Sequence, residues 1–183
     1  MHSLTLLDMT NEWNARLLDT QRFTETSGHA KFHHGLHSLT RVQEACAEQQ
    51  VTAAETVCNW SLSGETRGSG PRQQSWMLLG AALTLPQRCQ RCLEPMTVDI
   101  SVNRWFRFVE DEATALAEDD ECEEDLLVTS TELNTIELLE DELMLAMPLI
   151  VSHGSCQPPA SAALVDDLPH PFAALASLKL PKT

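Results

Sequence analysis

The sequence predicts an α+β fold, an antiparallel β-sheet with packed helices and an extended C-terminal tail. Three observations predict it. Residues 96–108 alternate apolar and polar side chains, the mark of a strand with one wet face. A capped amphipathic helix follows at 134–147. From Gln157 onward the chain carries Pro158, Pro159, Pro169, Pro171 and Pro181, too many for a regular element. A chain of 183 residues is enough for one domain, expected over residues 1–156, with residues 157–183 as the extended tail.

Residues 10–19 read as a short helix, with Thr10 as cap and Trp13 and Leu17 as an i, i+4 apolar pair. A polar stretch with His33, His34 and His37 follows. Residues 39–48 are helical again, with Leu39, Val42 and Cys46 on one face. Cys58, Trp60 and Leu62 alternate as in a strand. Gly64 to Gly70, followed by Pro71, predicts a loop. Residues 75–85 form an apolar strand that Pro86 ends. In the strand at 96–108, Met96, Val98, Ile100, Val102, Phe106 and Phe108 share one face, and only Arg104 breaks the pattern. The two strands pair as a hairpin across about ten residues that contain Cys89 and Cys92. Residues 110–125 are acidic and poor in apolar residues, which predicts an acidic mobile segment within 110–130. The next helix starts on the capping pattern Asn134-Thr-Ile-Glu137 and buries Ile136, Leu139, Leu143 and Ala146 or Met147. Glu137, Glu140, Asp141 and Glu142 are expected on its exposed side, and Pro148 ends it. In the tail, Phe172, Leu175 and Leu178 make a short apolar segment fit for docking.

The net charge of −15 is unevenly spread. Residues 1–107 hold ten acids and ten bases, whereas residues 108–178 hold seventeen acids and no Lys or Arg. Such a field repels nucleic acid at long range and suits a basic partner. It serves solubility equally well. No apolar run reaches the roughly 18–20 residues of a membrane span. Nor does Met1 to Asp8 resemble a signal peptide, so a cytoplasmic location with reduced cysteines is expected.

Cys89-Gln-Arg-Cys92 and His153-Gly-Ser-Cys156 are two chelating pairs far apart in sequence. Two tight turns that each supply two N/S ligands suit a structural zinc ion. Four ordinary reduced side chains read as well, whereas a redox pair would need the Cys-x2-Cys at a helix N-terminus after a strand in a βαβ unit. His33 and His37 offer a further pair at i, i+4, read first as a surface loop. Cys46, Cys58 and Cys122 have no partner at ligand spacing and read as packing or exposed thiols. Arg88, Arg91, Arg104, Trp105 and Arg107 lie on or near the hairpin, and Arg67 and Arg72 extend the set. Arginine forks grip phosphates and Trp105 stacks on an unpaired base, which makes this the candidate RNA-binding surface. Pairing of these arginines with acids of the same chain is the competing reading. No catalytic motif is present. The acids Glu140, Asp141 and Glu142 point about 100° apart around a helix and do not converge on one ion.

Cys89-Gln-Arg-Cys92-Leu-Glu-Pro95, Leu138-Leu-Glu-Asp-Glu-Leu-Met-Leu-Ala-Met-Pro148, His153 with Cys156, and His170-Pro-Phe-Ala-Ala-Leu-Ala-Ser-Leu-Lys179 occur in this order. Together they resemble the YceD family, the large ribosomal RNA subunit accumulation proteins, from about residue 75 to the end. By that resemblance, Cys89, Cys92, His153 and Cys156 match the family's cysteine and histidine positions. The interval from His153 to Cys156 is shorter than in the family, and Leu180-Pro181 interrupts the basic end. The resemblance implies a non-catalytic factor for the synthesis, processing or accumulation of 23S rRNA. Its expected partners are 23S rRNA or its precursor, basic ribosomal proteins, or both, with no membrane and no small-molecule substrate. The alternatives are an acidic regulator that binds another assembly factor and a carboxylate-dependent RNA-processing enzyme.

Overall fold

The computed structural model describes residues 13–48 and 56–159. Five strands form one sheet in the order β1-β2-β3-β4-β5. They are β1 (His29–Gly35), β2 (Val57–Arg67), β3 (Gln74–Arg88), β4 (Pro95–Val109) and β5 (Asp125–Val128). The first four pair antiparallel as a meander, and β5 pairs parallel with β4 over Phe106–Val109 only. The helices are α1 (Thr20–Glu25), α2 (Thr40–Glu48), α3 (Glu112–Glu118) and α4 (Thr135–Ala146). The α+β expectation holds, with one parallel pairing added.

Strand alternation puts Trp60, Leu62, Met77, Leu79, Ile100, Val102 and Phe106 on one face. There they form a continuous buried core with Phe23 of α1, Val42 and Cys46 of α2, and Ile136, Leu139 and Leu143 of α4. Stripes at i, i+3, i+4 and i+7 thus meet a period-two strand face, as the sequence patterns require. The other sheet face is mostly polar. Asn134 caps α4 by accepting the Ile136 N–H at 3.3 Å, and its amide donates to Glu137 Oε1 at 2.8 Å.

Several expectations are corrected. Of the helix expected at 10–19, residues 10–12 lie outside the described residues, and 13–19 is not helical. Its backbone is engaged elsewhere: Leu18 and Leu133 exchange two N–H···O bonds at 3.0 and 2.9 Å, and the Thr135 N–H donates to the Ala15 carbonyl at 2.8 Å. The helix starts instead behind Asp19, whose carboxylate accepts the Arg22 N–H. Gly64 lies inside β2, where a Cβ would fall 2.7 Å from the Phe23 ring. The glycine there permits close packing, and the turn begins only at Gly68. Pro86 does not end β3. It lies beyond Ala82, the last residue of β3 paired with β2, where a missing N–H costs that side of the ladder nothing. The mobile segment expected within 110–130 contains α3, a 3₁₀ turn at Asp119–Glu121 and β5. Expectations for Phe172, Leu175, Leu178 and the extended tail fall outside the described residues.

Candidate metal centre and arginine cluster

The β3–β4 hairpin closes at Arg88 opposite Pro95, leaving Cys89 to Glu94 as its turn. The Cys89 N–H donates to the Glu94 carbonyl and the Leu93 N–H to the Cys89 carbonyl, both at 2.9 Å. This tight knuckle holds Leu93 at φ +65°, a left-handed conformation that suits glycine. The segment after α4 runs back against it. Gln90 donates its backbone N–H to the Val151 carbonyl at 2.9 Å and its side-chain amide to the Leu149 carbonyl at 3.1 Å.

These contacts bring the two chelating pairs together. One ligand atom from each of Cys89, Cys92, His153 and Cys156 lies within 4.8 Å of the other three. Cys89 Sγ stands 3.7 Å from Cys156 Sγ, and Cys92 Sγ 3.3 Å from His153 Nδ1. Ligands on a tetrahedral zinc ion stand about 3.5–3.8 Å apart, given bonds of about 2.0–2.3 Å. Three sulfurs and one imidazole nitrogen at that spacing fit Zn²⁺. Four protein donors leave no open position, so such an ion is structural. Cys89 is fully buried. Its thiol is pulled down to about 5, first by the backbone N–H of Cys92 and also by those of His153 and Arg91. The His153 N–H lies 3.4 Å from its sulfur. Cys156 is pushed up by burial and by its two cysteine neighbours, since an anion on one sulfur opposes an anion on the next. These electrostatics favour a cation among the four.

Among the described residues, the remaining sulfurs and histidines do not form a site. Cys46 and Cys58 are buried in the core, and burial pushes Cys58 up to about 11, far from thiolate chemistry. Cys122 contacts backbone carbonyls. His33 and His34 are neighbours on β1 and so point to opposite faces. His33 faces Asn59, and His34 Nδ1 accepts the Trp60 indole N–H at 2.9 Å. Among the described residues, Cys89, Cys92, His153 and Cys156 are the only group of three or more potential ligands gathered in this way.

The hairpin arginines divide into two groups. Arg88 and Arg91 stand at the turn, whereas Arg107 lies opposite Trp76, twelve residues along β3. At about 3.3 Å per residue this is roughly 40 Å away. Arg107 is buried on the polar sheet face and donates to Glu118 and Glu124, each at 2.7 Å. Arg104 points to the core face, opposite Leu79, and bridges Asp125 at 2.5 Å and Glu142 at 4.0 Å. Arg41 of α2 donates its backbone N–H to Glu140 and its guanidinium to Asp141. Glu140 and Glu142 are therefore buried, against the expected exposed side, because arginines from α2 and β4 reach them. Arg67, Trp76 and Trp105 make an unforeseen stack. The Arg67 guanidinium lies 4.1 and 4.2 Å from the two indole centroids and pairs with Glu65. Its only sequence signal is that Arg67, Trp76 and Trp105 occupy one strand parity once the register is fixed.

Residues 79–179 match the family model of the large ribosomal RNA subunit accumulation protein YceD. That is more than half of the chain, and the chain belongs to this family. No solved structure matches it. Among the described residues, no helix is long and apolar enough to cross a membrane.

Proposed function

From that family membership we propose that the chain is a non-catalytic binding factor in accumulation of 23S rRNA. It works in the cytoplasm and engages a basic ribosomal protein during large-subunit assembly. The observation that carries this reading is the charge balance of the second half. Residues 108–159 carry fifteen acids and no Lys or Arg. Arg41, Arg104 and Arg107 engage six of those carboxylates and leave the region strongly negative. Arginines occupied by internal carboxylates are poor phosphate ligands, which favours a basic protein over RNA for this surface.

Zinc on Cys89, Cys92, His153 and Cys156 is the structural cofactor of this reading. It fixes the hairpin turn to the segment after α4 and supplies no reaction step. Glu140, Asp141 and Glu142 of α4 support a non-catalytic role, since each is engaged by arginine. Direct contact with 23S rRNA is a second reading, favoured by the exposed Arg91 at the turn and the Arg67–Trp76–Trp105 stack.

Affinity purification of the tagged full chain, with and without ribonuclease, separates the readings. A basic ribosomal protein that survives ribonuclease and leaves at high salt supports the first. Retention that ribonuclease abolishes supports the second. Cleavage of precursor rRNA by the purified chain with Mg²⁺, lost in Glu140→Gln, would contradict both.

A further inference from the structure

β5 covers β4 only from Phe106 to Val109. Among the described residues, the rest of that edge has no strand neighbour and no backbone hydrogen bond outside the β3 ladder. From Thr97 to Asn103 the side chains of one face are exposed. Over that span the edge has neither Lys nor Pro to block it and is a template for a further strand. Beside it runs a groove of about 390 Å³ between β4 and the end of α4. Its walls include Ser101, Asn103 and Arg104 on one side and Glu142 and Leu145 on the other. Leu145 is 77% exposed, an apolar side chain with little to cover it.

We propose that the open edge of β4, with this groove, is the docking site for an extended basic segment of a protein partner. The segment adds as a strand in the line of β5, and its alternate side chains enter the groove. Main-chain hydrogen bonds supply affinity, and Leu145 and Glu142 supply selectivity. Charge complementarity identifies the occupant. Asp99 lies on the edge itself, Glu142 lines the groove, and Asp125 pairs with Arg104 on its wall. Arg104 pairs with Asp125 at 2.5 Å and lies 4.0 Å from Glu142, so it offsets one of these carboxylates and the site keeps a net negative charge. A cationic side chain entering the groove meets carboxylates, whereas a second copy of this chain would bring its own Asp99 and a net charge of −15. RNA is repelled by the same field.

This inference rests on the reading that the acidic half takes a basic protein, and one set of experiments separates the two. The probe is a synthetic nine-residue peptide of alternating arginine and valine, added to the full-length chain. Two isomers carry N-methyl groups on the valines or on the arginines, so each removes the N–H donors of one peptide edge. The proposal expects the parent peptide to slow amide exchange at alternate residues of 97–103. One isomer should bind about tenfold more weakly and the other almost unchanged, as loss of two or three hydrogen bonds implies. Leu145→Arg, at an exposed position, should weaken the parent peptide by a similar factor.

Equal binding of both isomers, or protection elsewhere on the chain, would overturn it in favour of unspecific charge attraction. Slow exchange in the free chain at the amides of 97–103 that face away from β3 would also overturn it, by showing the edge already covered by a second copy or by this chain's own residues. If these tests fail while a basic ribosomal protein still co-purifies, the docking site falls and the proposed function stands.

Discussion

The two ends of the β3–β4 hairpin are secured by different chemistry. At the turn, three thiols and an imidazole from Cys89–Cys92 and His153–Cys156 gather closely enough to share one cation. At the far end, Arg107 lies buried beneath α3 and the approach to β5, held by Glu118 and Glu124. With the proposed zinc bound, the first arrangement draws its strength from coordination bonds and is broken by removing one ion. The second pairs opposite charges at the cost of desolvating them, so it contributes little net stability while intact and costs much once one partner is gone. On the proposed zinc, the turn end is where global stability is concentrated, and the arginine end positions the acidic segment.

Metal removal gives the largest expected effect. EDTA, or Cys92→Ser, should lower stability by about 3–5 kcal/mol, or about 10–15 °C in melting temperature for a chain of this size. Elemental analysis should give about one zinc per chain in the parent protein and none in the variant. Unchanged melting after EDTA would remove the contrast between the ends.

Arg107→Ala comes next, at about 2–4 kcal/mol, because Glu124 is left partly buried without its cation. Hydrogen exchange should quicken in α3 and β5 and stay slow in the β3–β4 ladder. Exchange that quickens over the whole sheet would make this corner as central as the turn.

Leu93→Gly should raise stability by about 1 kcal/mol, since leucine at φ +65° is strained where glycine is not. Thermal melting of the zinc-loaded protein measures it, and a loss would mean that the Leu93 side chain is needed.

The smallest effect concerns pH. Burial pushes Glu124 up, but backbone N–H groups and Arg107 outweigh it and hold the carboxyl below its usual range. A depressed carboxyl stabilises the fold above its unfolded value of about 4.5 and loses that contribution as pH falls through the folded value. Melting followed from pH 6 to 3 should decline less steeply in Glu124→Gln than in the parent chain.

The contrast also explains what the sequence made legible. Short spacings such as Cys-x2-Cys are local, and coordination geometry limits which residues serve, so the four candidate ligands that the fold gathers could be named before any fold was known. The alternation of β4 and the Asn134 cap are local in the same way. Partners of the arginines are not. Arg104 broke the strand pattern visibly, but which acids it meets depends on the parallel docking of β5, set by tertiary contacts. The same docking turned a composition that reads as mobile into α3 and β5, since Arg107 supplies a buried countercharge that no local signal announces. Residues 13–19 carried a helical pattern yet lost it, because Leu133 and Thr135 offered their backbone better partners. Pro86 and Gly64 misled because their usual role as breakers depends on tertiary neighbours: Pro86 lies past the last β2 pairing, and Gly64 packs against the Phe23 ring.

The central claim is that this chain acts by salt-sensitive association with the assembling large subunit. Sedimentation of the tagged full chain from lysate through sucrose gradients at low and high salt, with the rRNA of each fraction typed, tests it most directly. The account predicts co-migration with large-subunit precursors at low salt and loss of it at high salt. A chain that stays at the top of the gradient in both conditions would contradict it and favour an acidic regulator that acts away from the particle.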